Sequence, residues 1–152
     1  MKDTNYKPQK ESQMTVNEAA AVYGQLEEEN IYSIIQLVKE GIRFHVFKLI
    51  MEKSPFSISD WSNFLHLSER TMLRYKNENK SFDPIYSEKI MEISLLQNYG
   101  KKVFGSEENF NVWLHTTNIA LGGITPKDLL DNSFGIRLLK DELTRIAHGI
   151  LA

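Results

Sequence analysis

The 152-residue chain contains no cysteine. Disulfide frameworks, thiolate metal sites and cysteine nucleophiles are therefore excluded. A long hydrophobic run is also missing. No stretch approaches the ~18 apolar residues of a membrane-spanning helix, so no membrane association is expected. A strong charge of either sign is absent as well: the net charge is −2, which marks no polyanion binder as a whole. The N-terminal MKDTNYKPQKESQM is polar, with no apolar core of a secretory signal. Together these features lead us to expect a cytoplasmic protein. Catalytic signatures are lacking too. The four histidines, His45, His66, His115 and His148, form no HExxH pair, and no GxGxxG, GxxxxGK[ST] or GxSxG pattern occurs. The LGGIT stretch has no P-loop lysine. No catalytic residue, metal or cofactor is expected.

Proline and glycine are scarce, at four and eight residues, yet three glycines and one proline fall within NIALGGITPKDLLDNSFG, residues 118–135. Aromatics are plentiful: eight Phe, six Tyr and two Trp supply material for a substantial core. Charge is unevenly spread. Residues 39–80 carry eight basic and five acidic side chains, whereas residues 106–152 carry four basic and six acidic. Two surfaces with different partners would suit that division, as would ordinary solvated faces.

The periodicity predicts an all-α protein. Residues 1–30 are polar and weakly patterned, and a disordered or weakly ordered segment is expected there. IYSIIQLVKEG, ending in Gly41, fits a helix or a strand. Ile42, Val46, Leu49 and Ile50 predict a helix stopped by Ser54-Pro55. Two short helices follow. Ser57 with Asp60 forms a capping box for the first, and Trp61, Phe64 and Leu65 mark its apolar face. His66-Leu67 makes the turn, and Ser68 caps the second helix, whose Met72 and Leu73 are expected to face inward. Asp83-Pro84 starts a long helix that Gly105 ends. Ser106 caps another, Leu121-Gly122-Gly123 breaks it, and Thr125-Pro126 caps a short helix, KDLLD. Asn132-Ser133 starts the last helix, with Ile136, Leu139, Leu143, Ile146 and Ile150 on one stripe.

Two functional surfaces stand out. Two short helices joined by a tight turn, the second rich in basic and polar residues, suit the DNA major groove. The expected DNA-facing set is Ser68, Glu69, Arg70, Thr71, Arg74, Tyr75 and Lys76, since arginine pairs with guanine edges and serine or lysine with phosphates. A solvated helix face is the competing reading. The second surface lies in the C-terminal third. Gly122 and Gly123 permit a sharp turn and a close backbone approach. Arg145 and His148 share a helix face, beside the apolar Gly149-Ile150-Leu151-Ala152. Arg145 would serve either an outside partner or an internal pair with Asp141 or Glu142, and His148 either packing or contact. Leu129 and Leu130 read as core.

These pieces occur in a familiar order. Phe104-Gly105, Trp113-Leu114, Leu121-Gly122-Gly123, Thr125-Pro126, Asp128-Leu129-Leu130, Gly135, Glu142-Leu143, Arg145-Ile146, His148-Gly149 and Ala152 closely resemble the toxin-binding domain of the Xre/MbcA/ParS antitoxin family. Ser87-Glu88-Lys89-Ile90 and the helix-turn-helix stretch Leu67–Tyr75 extend the likeness over roughly residues 41–152. The resemblance implies an Xre-like helix-turn-helix domain at 31–82 and a small helical toxin-binding domain at 83–152. It also implies a type II antitoxin that is not itself an enzyme. Its partner would be a RES-domain toxin, an ADP-ribosyltransferase-like consumer of NAD, whose active site it covers. Operator DNA would be a second partner, through autoregulation. The toxin-contacting set would be Leu121, Gly122, Gly123, Arg145, His148, Gly149, Ile150, Leu151 and Ala152. A homodimer and higher toxin–antitoxin assemblies are expected, with Ile31–Leu37 or the long helix as the dimer surface. A stand-alone DNA-binding regulator is the alternative, and an antitoxin with a vestigial helix-turn-helix is a third reading.

Overall fold

A computed structural model describes residues 31–149. The expectations placed on residues 1–30 and on Ile150, Leu151 and Ala152 lie outside these. Among the described residues seven α-helices form: α1 Ile31–Glu40, α2 Phe44–Glu52, α3 Ile58–Leu65, α4 Glu69–Glu78, α5 Pro84–Phe104, α6 Glu107–His115 and α7 Ser133–Ala147. Two short 3₁₀ turns, Ile119–Leu121 and Pro126–Leu129, lie between α6 and α7. Among the described residues there is no strand, so the all-α expectation holds.

Most helix boundaries follow from local chemistry. Ser57 accepts the Asp60 N–H while the Asp60 carboxylate accepts the Ser57 N–H, which completes the capping box of α3. Ser68, Ser106 and Asn132 cap α4, α6 and α7 in the same manner, each accepting an N–H three residues on. Pro84 occupies the first turn of α5, and Gly105 closes it in the left-handed region. The segment left open between helix and strand is the helix α1, with Ile34 buried.

Two boundaries differ from expectation. The helix capped by Ser106 does not reach the Leu121-Gly122-Gly123 break; it ends at His115, where Thr116 turns extended. The helix expected from Ile42 begins at Phe44. Ile42 and Arg43 are instead drawn into an extended pairing with residues 80–82. Phe82 N–H donates to the Ile42 carbonyl at 2.8 Å, and Phe44 N–H donates to Lys80 at 3.0 Å. Ser87 secures the same corner by accepting the Ile42 N–H at 2.9 Å.

Helix α5 is the spine. Helices α1, α3, α6 and α7 all pack on it. On one side, Phe44, Phe47, Trp61 and Phe82 interlock mostly edge to face, at centroid distances of 5.1–6.1 Å. On the other, the Phe110 ring lies against Gly100, where a Cβ would overlap it. Ile90, Met91, Ile93 and Leu96 are buried along α5 between these two sides, in a single contiguous core. That core runs across the boundary expected at residues 82–83. None of the described helices is long and apolar enough to cross a membrane.

Candidate functional site

The two expected surfaces share this core and meet at one seam. Helix α4 follows α3 through His66, Leu67 and Ser68. His66 adopts φ 55° and ψ 36°, the left-handed conformation for which histidine is more tolerant than most residues. The Ser62 hydroxyl, on α3, donates to the Leu67 carbonyl and fixes the turn. Met72 and Tyr75 point into the core, so the opposite face of α4 presents Arg70, Leu73, Arg74 and Asn77 at spacings of three, four and seven. Ser68, Glu69 and Lys76 are exposed as well, and Thr71 is half-buried.

Two expectations for this helix are corrected. Tyr75 does not join the outer face; it is 5% exposed, its ring 5.1 Å from that of Phe82. The Lys80 ammonium sits 4.7 Å from the same ring. Leu73 does not face inward; it is 52% exposed. The cause is phase. Met72, Leu73 and Tyr75 span more than one face of a helix, and the Phe82 ring selects Tyr75 for burial. Asn77 belongs to the last turn of the helix.

The glycine-rich segment forms a small closed loop. Asn118 N–H donates to the Ile124 carbonyl at 3.1 Å, and Gly123 N–H donates to the Asn118 carbonyl at 2.9 Å. Gly122 and Gly123 take φ values of +82° and +80°. Two consecutive residues in that region exclude nearly every other side chain. A Cβ on either would meet nothing within 4 Å. Backbone conformation, not crowding within the chain, is therefore what requires glycine here. Leu121 is buried beneath the loop, whereas Ile119 is 93% exposed at its tip. Pro126 and Leu130 are buried and Leu129 is half-buried, in keeping with their reading as core.

Arg145 lies on the exposed side of α7, with its guanidinium 3.5 Å from the Glu142 carboxylate. Its internal partner is thus Glu142, one turn before it on α7. His148 ends the helix, and its Nδ1 lies 2.9 Å from the Thr144 carbonyl. Gly149 is exposed with φ +66°. The Gly-Gly loop and the end of α7 thus belong to one helical module, and the expected apolar end at Ile150–Ala152 lies outside the described residues. Phe134 was not among the expected contacts. It is 80% exposed on the first turn of α7, with the Arg137 guanidinium carbon 5.9 Å from its ring centroid.

The seam between the two surfaces was not legible in the sequence. Lys127, just after the Gly-Gly loop, pairs with Asp60 of α3 at 2.9 Å. His66 Nε2–H donates to the Asp131 carbonyl at 2.7 Å, across 65 positions of sequence. Burial raises the Asp60 carboxyl. The hydrogen bond and charge of Lys127 and the Ser57 N–H and hydroxyl outweigh it, leaving the carboxyl below its ordinary value. A depressed carboxylate contributes stability above its ordinary range and loses it as pH falls through the lowered folded value. Lys127→Met is therefore expected to cost about 1 kcal/mol at neutral pH. It should also flatten the acid limb of stability plotted against pH. Urea titrations of both proteins from neutral to acid pH measure this, and parallel profiles would show that the pair adds nothing.

Elsewhere the histidines are dispersed. His45 faces Asn79, and His115 faces the carbonyl of Asn111. Among the described residues, no group of three or more His, Cys, Asp or Glu side chains gathers as a metal site. Burial raises the carboxyl of Glu92, on α5 beside Ser133, with Lys89 opposing the rise and Glu88 adding to it.

Comparison with known proteins bears on one of the two surfaces. Residues 100–149 match the family model described as the antitoxin Xre/MbcA/ParS C-terminal toxin-binding domain. The matched stretch runs from the end of α5 through the Gly-Gly loop to the close of α7, and indicates an antitoxin with its toxin-binding domain at this end of the chain. It is shorter than the likeness read over residues 41–152. No curated protein matches the chain.

Proposed function

We propose that this protein neutralises a RES-domain, NAD-consuming toxin by covering its active site with the module of residues 100–149, and that α3 and α4 bind the operator of its own genes. The family match supports toxin binding by this module, and the resemblance read over residues 41–152 supplies the RES-domain target. The Gly-Gly loop supports it, because two glycines held at positive φ with open space around them let a partner reach the backbone. Leu121 supports that loop from beneath, while Arg145, His148 and residues 149–152 supply the remaining contacts. The NAD-using site of such a toxin binds phosphates, and a guanidinium inserted there occupies the partners those phosphates would otherwise use.

The second half rests on the form of α3 and α4. Arg70 and Arg74 would address base edges or phosphates, Leu73 a thymine methyl, and Asn77 an adenine edge. Ser68, Glu69, Thr71 and Lys76 surround that face. A two-fold dimer would match paired half-sites, and α1 offers Ile31, Tyr32 and Ile35 as exposed apolar positions for it. A regulator that acts without a toxin is the alternative reading.

Co-expression tests the function. Growth arrested by the RES-domain protein is expected to resume when the full chain is present. Removal of residues 149–152 is expected to abolish rescue while leaving salt-dependent binding to upstream DNA intact. Rescue by the shortened chain would remove those residues from the contact. Failure of the full chain to rescue would leave the stand-alone regulator as the better reading.

A further inference from the structure

The outward face of α7 has a pattern that the Gly-Gly loop and the end of the helix do not account for. Ile136, Leu139 and Leu143 turn into the core. Phe134, Leu138, Asp141 and Arg145 follow one another at i, i+4, i+7 and i+11, a single stripe along the other side of the helix. Phe134 is 80% exposed and Leu138 42%. The stripe is apolar at the N-terminal end of α7 and charged at its C-terminal end, and it lies wholly within the stretch matching a toxin-binding domain.

The stripe is held rigidly. Asn132 caps the helix by accepting the Gly135 N–H at 2.8 Å. Gly135 itself lies against the Leu129 backbone. Tyr99 of α5 donates to the Thr144 hydroxyl at 3.1 Å farther along. Phe134 is therefore displayed from a fixed helix, in the manner of an anchor laid lengthwise into a groove. At the other end, Glu142 engages Arg145 from the core side, and the guanidinium fork has further donors for a second carboxylate.

We infer that α7 binds the toxin along this stripe, with Phe134 and Leu138 filling an apolar groove and Arg145 meeting a toxin carboxylate at the groove's far end. The inference rests on the toxin-binding reading above. It extends the contact about three helical turns beyond Arg145, toward the start of α7.

The test uses the full chain and the purified RES-domain toxin. Phe134→Ala and Leu138→Ala are compared with Lys140→Ala, an exposed position off the stripe. Phe134→Ala is expected to weaken the complex by at least about tenfold, Leu138→Ala less, and Lys140→Ala by under about twofold, all three melting like the native chain. If the native chain binds the toxin and Phe134→Ala binds equally well, the stripe is not the contact and the inference falls alone. If the native chain does not bind, the toxin-binding reading falls and takes the inference with it. Sedimentation of the chain without toxin supplies the third comparison. If Phe134→Ala dissociates a dimer and toxin affinity is unchanged, the face joins two copies of this chain and the inference is overturned.

Discussion

Replacing Gly135 with alanine is expected to lower the stability of the full chain by about 2 kcal/mol net and its melting temperature by roughly 8 °C. Two effects oppose each other. Alanine is the better helix former, by about 1 kcal/mol within a helix. Gly135, however, is buried on the first turn of α7, and its Cβ would overlap the Leu129 carbonyl oxygen. That neighbour is backbone, so no rotamer change relieves the overlap. The start of α7 would have to move off the 3₁₀ turn Pro126–Leu129. The same movement would disturb Lys127 and Asp131, the two residues that hold α3 and its turn. Thermal melting followed by circular dichroism measures the loss. An unchanged or higher melting temperature would mean that the helix shifts without cost and that the seam is looser than its contacts suggest.

Arg145→Ala is expected to weaken toxin binding about a hundredfold, roughly 3 kcal/mol, while costing the isolated protein no more than about 1 kcal/mol. The two effects separate because the guanidinium is half exposed whereas its carboxylate partner, Glu142, is mostly buried. A single ion pair of that kind adds little to folding. A charge that a partner encloses and pairs contributes far more to binding, because its removal leaves the opposing group unpaired. Arg145→Lys keeps the charge beside Glu142 but loses the planar fork. It should therefore restore stability and only part of the affinity. Calorimetric titration of toxin into each variant, alongside urea denaturation, distinguishes the cases. Equal binding by Arg145→Ala and the native chain would assign Arg145 to the helix alone.

Features set by a few neighbouring residues were legible in the sequence. The Ser57–Asp60 capping box, the Pro84 start of α5 and the Asn132 cap all depend on chemistry within a single turn, and all stand as read, whereas the helix capped by Ser106 ends at His115, short of the break expected at Leu121-Gly122-Gly123. Positions decided by distant partners were not. Ile42 leaves the helix because residues 80–82 compete for its backbone. Tyr75 turns inward because Phe82 lies beside it, and Leu73 is displaced to the surface as a result. The Asp60–Lys127 and His66–Asp131 contacts link segments more than 60 residues apart, and neither has a local signature. Phe134 looked like part of a helix start. Only the packing of Gly135 against Leu129 shows that its ring points away from the core.

The seam also bears on how the halves can be studied. Helix α5 buries Ile90, Ile93 and Leu96 within a core shared with Phe47, Trp61 and Phe82. A fragment starting near residue 83 would expose that surface, at about 25 cal/mol for each Å² of apolar area. The full chain is therefore the proper subject for binding studies. Helix α4 and the module of residues 100–149 are parts of one packed body.

The most direct test titrates the full chain into the purified RES-domain toxin and follows NAD consumption. Stepwise loss of NAD turnover, complete at a fixed molar ratio and accompanied by a stable complex on gel filtration, is the predicted result. Undiminished turnover with both proteins eluting separately would contradict the account.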